Sequence, residues 1–280
     1  MKKSISFEDL IAPITVQEFK LRYKGKRPFV AKAPSVYRKK FFNDSISWRK
    51  INDYLNDPRG THGLQMIVPD ENAKHGRTKL CSEKGELEFD SQRSDWNFLK
   101  EETKRAWYDI EKVHELWHGE SSMIITKASQ MTRGLSAIAE AIEDGYEMIN
   151  PKDKRSVDSH LYCSSRKDAF SFECHADHDD NFLVHMIGPV KWTVYATWAK
   201  DFGKYTASPE DELSMIPVIE EILYPGDLLY IPAGLFHKAE AQGPRVSVSF
   251  PVARRKNRIQ RDFFDFTPNR NVRAEDGRRL

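Results

Sequence analysis

Cys174-His175-Ala176-Asp177-His178-Asp179-Asp180-Asn181-Phe182 and, further on, Tyr224-Pro225-Gly226-Asp227-Leu228-Leu229-Tyr230-Ile231-Pro232-Ala233-Gly234-Leu235-Phe236-His237 decide how this chain is read. His175 and Asp177 are two apart, so on a strand both side chains leave by the same face. The second stretch alternates turn and strand. Pro225-Gly226-Asp227 is turn chemistry, Leu228 to Ile231 a short buried run, and Pro232-Ala233-Gly234 its end. His237 then sits just past a turn, at a strand mouth, with Leu235 and Phe236 available as an apolar wall. Two imidazoles and one carboxylate are the facial set that holds non-haem iron(II) and leaves the opposite positions open. An H-x-D triplet recurs by chance; one followed about sixty residues later by this turn, strand and histidine is a far stronger signal. The layout suits a small β-barrel with ligands inside its mouth.

Composition narrows the setting. The chain has 280 residues, enough for one large barrel domain with decorations. A hydrophobic share of 39% can fill a core, while 31% charged residues mark a soluble protein. No run of eighteen apolar residues occurs, so no membrane span is expected. The first residues lack the apolar stretch of a signal peptide. Cys81, Cys163 and Cys174 are scattered and odd in number, which argues against a disulfide framework or zinc ribbon and suits a reducing cytoplasm. Net charge is +2, yet residues 254–280 hold nine Arg/Lys against four Asp/Glu. That basic extension is open to contact with nucleic acid or an acidic partner, the plain alternative being a solvated tail.

Periodicity places helices mostly before the strands. Thr15-Val16-Gln17-Glu18 opens a helix over 15–24 with Gly25 beyond it, and Phe29 to Lys32 is the first strand. Helices are expected over 47–55, 97–117 and 132–144, the last closed by Gly145. Strands are expected at 64–68 and 123–126, with a hairpin around Glu86 to Phe89. After Pro151 the pattern is β-rich to about Phe250. The fold class is therefore mainly β with α cladding (α+β).

Residues 156–250 resemble the core of the Jumonji-C (JmjC) family of iron(II)- and 2-oxoglutarate-dependent oxygenases, within the cupin superfamily. The likeness is carried by Val157-Asp158-Ser159-His160-Leu161-Tyr162, the His175/Asp177 pair with Asn181-Phe182, Gly188 to Tyr195, Tyr224 to His237, and Arg245-Val246-Ser247-Val248-Ser249-Phe250. Phe7 to Ile14 and Arg27-Pro28-Phe29 resemble the entry of such chains. The protein hydroxylases of the family, ribosomal and asparaginyl, are nearest in pattern. The resemblance implies a double-stranded β-helix (jelly-roll, cupin) core at about 156–250, N-terminal cladding over 1–150, one oxygenase domain over 1–253 and a short helical C-terminal tail. Dimer contacts through such a tail are common in the family, so a homodimer is an expectation too.

Each site assignment has a plain competitor. A surface turn explains so polar a segment as 175–180, but the apolar strand that follows and the distant His237 favour a metal set of His175, Asp177 and His237. His178 with Asp180 also fits H-x-D. Counted from His175, Asn181 and Gly188 fall where the family has them, so His178 and His185 read as structural, and His160 as a pocket candidate. By the resemblance, iron(II) works with 2-oxoglutarate and O2 as co-substrates, and no side chain is needed as acid or base. Asn181 and Tyr162 are cofactor-binding candidates. The family places a cation two residues after the glycine for the far carboxylate. Here Gly188-Pro189-Val190-Lys191-Trp192 puts Val190 there, so Lys191, re-aimed by a bulge at Pro189, and Arg245 in an R-x-S setting are equal candidates. The expected activity is hydroxylation of a C–H bond, most simply in a protein or peptide substrate. The alternatives are a metal-dependent cupin enzyme that uses no 2-oxoglutarate and a non-catalytic binding module.

Overall fold

The computed structural model describes residues 4–33, 36–55, 117–169, 171–254 and 258, with the course of the strands at 64–68, 77–82 and 85–90. The strands are β1 (Phe29–Ala31), β2 (Leu64–Val68), β3 (Arg77–Ser82), β4 (Gly85–Asp90), β5 (Ser122–Thr126), β6 (Arg155–Val157), β7 (His160–Ser164), β8 (His175–Ala176), β9 (Asp180–Ile187), β10 (Val190–Trp198), β11 (Pro217–Leu223), β12 (Leu228–Ile231), β13 (Leu235–Ala241) and β14 (Arg245–Arg254). They form a large sheet ordered β1-β12-β9-β14-β7-β5-β2-β3-β4, with β6 beside β14, and a small sheet ordered β11-β10-β13-β8. Strands β7 to β14 wind between the two sheets, giving the double-stranded β-helix. Every strand pairing among the described residues is antiparallel.

Alternation along β9 and β14 explains why the barrel has a wet interior and a dry back. Phe182, Val184 and Met186, with Val246, Val248 and Phe250, face the helices and join the main core. Asn181, Leu183 and His185, with Arg245, Ser247 and Ser249, take the other face, toward the small sheet. Helix α1 (Phe7–Ile11), the short α2 (Val16–Glu18) with its continuing turn Phe19–Tyr23, α3 (Val36–Ser45), α4 (Trp48–Leu55) and α5 (Arg133–Ile149) clad the large sheet. The small sheet is covered outside by α6 (Ala199–Phe202) and α7 (Pro209–Leu213). Among the described residues no helix is long and apolar enough to cross a membrane.

Three local differences from the sequence reading have physical causes. Gly145 does not close α5, which continues to Ile149; a Cβ there would lie 2.2 Å from the Phe7 ring, so the glycine admits α1 instead of ending the helix. Helix α3 escaped notice because its buried face carries an arginine. Arg38 is 1% exposed and donates to the carbonyls of Leu10, Ala12, Ala31, Lys32 and Gly226, tying α1, β1 and the β11–β12 turn together. Third, β10 starts at Val190 and keeps a regular register to Val194, so there is no bulge at Pro189 to turn Lys191 inward. The expected helix over 97–117 lies outside the described residues except for Trp117, and so does the helical tail except for Arg254 and Arg258.

Candidate metal centre

Strands β8 and β13 pair with His175 directly opposite His237. Asp177, two residues on, comes to the same face. Gly234 N–H donates to the Asp177 carbonyl at 2.7 Å, which fastens the turn before His237 to the H-x-D segment. One ligand atom from each of the three residues can be chosen so that all lie within 4.8 Å of one another. Asp177 oxygens stand 3.9 Å from His175 Nε2 and 3.7 Å from His237 Nε2.

Both imidazoles are oriented by backbone. His175 Nδ1 is 2.7 Å from the Glu173 carbonyl and His237 Nδ1 is 2.9 Å from the Leu235 carbonyl. Each ring nitrogen beside a carbonyl must donate, so the network assigns the proton to Nδ1 and leaves Nε2 as the free lone pair. Metal-bound histidines are usually held in this way. Burial, then His175, pushes the His237 pKa down to about 4, keeping the ring neutral. Burial pushes the Asp177 carboxyl up, but His237, His175 and the Asn181 amide outweigh it and hold it below its ordinary value. Two imidazoles and a carboxylate are the donor set that a divalent transition metal takes, so these residues fit iron(II).

The rival pair is used otherwise. Asp180 accepts from the hydroxyls of Tyr146 at 2.8 Å and Tyr230 at 2.9 Å, and from Ala233 N–H at 3.0 Å. It pins α5 and the turn before His237 to β9. His178 lies against the Tyr205 ring, 3.9 Å between centroids.

The triad opens into a cavity whose wall includes Tyr162, Phe172, Asn181, Trp192, Arg245 and Ser247. Asn181 does more positioning than the sequence suggested: its amide donates to Asp177 at 2.9 Å and its carbonyl accepts from Phe250 N–H at 3.1 Å. Tyr162 lines the wall, its hydroxyl pushed well above its ordinary pKa by burial and by Asp177. Lys191 is a correction. It leaves β10 on the outer face and pairs with Glu220 at 2.8 Å and Glu240 at 3.8 Å, away from the cavity.

Arg245 does face the cavity. It is 2% exposed, and among the described residues its guanidinium reaches three hydroxyls, Ser164 at 3.3 Å, Ser247 at 3.4 Å and Ser171 at 3.4 Å. No carboxylate pairs with it among the described residues. Burial lowers its pKa to about 10. Sequence reasoning missed Trp192, Ser164, Ser171 and Phe172. Trp192 was legible in principle, since Val190, Trp192 and Val194 alternate inward.

Residues 144–260 match the family described as JmjC domain. The chain carries a JmjC domain. Ribosomal oxygenase 2 of Rattus norvegicus is 23% identical over 266 residues, covering 92% of this chain and 49% of that protein. Ribosomal oxygenase 1 of Homo sapiens is 32% identical over 98 residues, 34% of this chain and 15% of that protein. The chain thus spans about half the length, or less, of the curated relatives it matches. Among solved structures, YcfD, a ribosomal oxygenase from Escherichia coli in complex with cobalt and 2-oxoglutarate, superposes with a TM-score of 0.54 at 17% identity, covering 88% of this chain and 53% of that one. That likeness places the JmjC domain on the same fold.

Proposed function

We propose that this chain is an iron(II)- and 2-oxoglutarate-dependent oxygenase that hydroxylates a protein side chain. His175, Asp177 and His237 would hold the metal, which supplies the redox chemistry of the overall reaction: 2-oxoglutarate, dioxygen and R–H become succinate, carbon dioxide and R–OH. One oxygen atom enters the product hydroxyl and the other enters succinate, so the equation balances. The protein binds, orients and excludes water.

Arg245 carries the reading. A buried cation with hydroxyl partners alone leaves its charge uncompensated, which is costly unless an anion completes the site. The distal carboxylate of 2-oxoglutarate supplies that anion, and the guanidinium fork suits it. A cupin enzyme without this co-substrate has no need of the cation at that depth. The protein substrate is supported by the relatives' name, ribosomal oxygenase, which makes a ribosomal protein the first to try. The roles of the basic tail and of a dimer stay part of this proposal. The described Arg258 pairs with Asp144 at 2.8 Å and Glu147 at 3.1 Å on α5, so at least one charge of that extension is spent within the chain.

The test is iron-reconstituted protein given 2-oxoglutarate, air and ribosomal proteins. Succinate should form in proportion to a one-oxygen mass gain on a single substrate chain. No succinate above a metal-free control, with or without ribosomal protein, would sink the proposal.

A further inference from the structure

Arg245 is not the only polar group left incomplete inside the barrel. Among the described residues, three buried side-chain polar atoms have no hydrogen-bond partner. Two of them, Trp192 Nε1 and His185 Nε2, belong to neighbouring rings 6.2 Å apart between centroids. Trp192 is 5% exposed, lines the cavity with Arg245, and stands 5.9 Å ring to ring from His237. It therefore adjoins the metal set on one side and His185 on the other. An indole N–H can only donate.

The directions of the bonds behind Arg245 follow from donor counts. Arginine only donates, so its Nη1 gives a proton to Ser247 Oγ. Ser247 Oγ lies 3.2 Å from His185 Nδ1, and the two residues face each other across the β9–β14 ladder. With the hydroxyl donating to Nδ1, a single N–H is left over, on Nε2. The other tautomer leaves both a hydroxyl proton and a ring nitrogen without partners. The network thus assigns the His185 proton to Nε2. Burial, then Arg245 and Lys32, pushes the His185 pKa down to about 3, so the ring is neutral at any ordinary pH. The cavity wall thus carries both a guanidinium and a tryptophan whose indole N–H has no partner, and among the described residues no carboxylate pairs with either. Such a set is complementary to a carboxylate.

We propose that Trp192 Nε1–H is the second donor to the carboxylate held by Arg245, and that His185 is the positioning residue that keeps Ser247 turned toward Arg245. The inference rests on the oxygenase reading above, in which that carboxylate is the distal one of 2-oxoglutarate. It names the groups that let the site tell a 2-oxo diacid from a 2-oxo monoacid.

The experiment is calorimetric titration of manganese(II)-loaded protein with 2-oxoglutarate and, separately, with 2-oxobutyrate, which keeps the chelating end and lacks the distal carboxylate. Trp192→Phe keeps the ring and removes the N–H. It should weaken 2-oxoglutarate binding roughly tenfold or more, as expected for a bond to a charged group, and leave 2-oxobutyrate binding and manganese stoichiometry unchanged. His185→Leu should shift the diacid in the same sense by a smaller factor, and His185→Gln, which can accept from Ser247, should restore it. A Trp192→Phe protein that binds 2-oxoglutarate like the parent overturns the inference. So does equal weakening of both acids, which would place the effect at the metal end. A parent that takes manganese but never binds 2-oxoglutarate overturns the oxygenase reading, and this inference with it.

Discussion

The two ends of the cavity are built on opposite plans. At the mouth, each candidate ligand is held by a bond to its own scaffold: His175 by the Glu173 carbonyl, His237 by the Leu235 carbonyl, Asp177 by the Asn181 amide. At the blind end, among the described residues, Arg245 has three long contacts to hydroxyls, and on the cavity wall Trp192 Nε1 has no partner. The mouth is a finished set of lone pairs waiting for a cation, and the blind end an unfinished set of donors waiting for an anion. A molecule that chelates at one end and carries a carboxylate at the other satisfies both.

The contrast breaks most sharply at the metal. Asp177→Ala and His237→Ala should each reduce bound iron(II) to near zero by elemental analysis while the far-UV circular dichroism stays that of the parent. His178→Ala should keep full stoichiometry, because that ring lies against Tyr205. Full iron in Asp177→Ala would contradict the assignment.

The next largest effect belongs to Arg245. Its replacement by Ala should weaken 2-oxoglutarate binding by orders of magnitude, as expected where loss of a buried charge partner costs about 2–5 kcal/mol. Iron stoichiometry should not change. Asn181→Ala should act at the opposite end, lowering iron affinity about 10–100-fold in a chelator competition, the usual scale for groups that orient a ligand. If it left iron affinity untouched and weakened only 2-oxoglutarate, Asn181 would be a co-substrate contact, as the sequence suggested. Smallest is Lys191→Ala. A surface pair is worth about 0–1 kcal/mol, so 2-oxoglutarate affinity should stay within a few-fold of the parent and the thermal midpoint should barely move.

The mouth was also the legible end. His175, Asp177 and His237 could be found from one dimension because a strand fixes the face of residues two apart and turn residues mark where it ends. The blind end could not. Lys191 and Arg245 lie on different strands, β10 and β14, and each points in or out by the parity of its position; the regular register of β10 from Val190 to Val194 and the pairing with Glu220 show that Lys191 points outward. The partnerless indole of Trp192 depends on what surrounds it in three dimensions, so no spacing rule reveals it. The cladding shows the same limit. Gly145 reads as a helix stop until the Phe7 ring against it is seen, and α3 hides because Arg38 occupies a core-facing position where an apolar residue is expected.

If one cavity serves both ends of one co-substrate, anaerobic absorption spectroscopy shows it directly. Iron(II)-loaded protein titrated with 2-oxoglutarate should develop the visible charge-transfer band of a chelated 2-oxo acid, saturating at one equivalent. Arg245→Ala should reach the same band only at far higher concentration, and Lys191→Ala should follow the parent. A band that rises identically in all three proteins would contradict the role of Arg245. Its absence from the iron-loaded parent at any concentration would contradict the account as a whole.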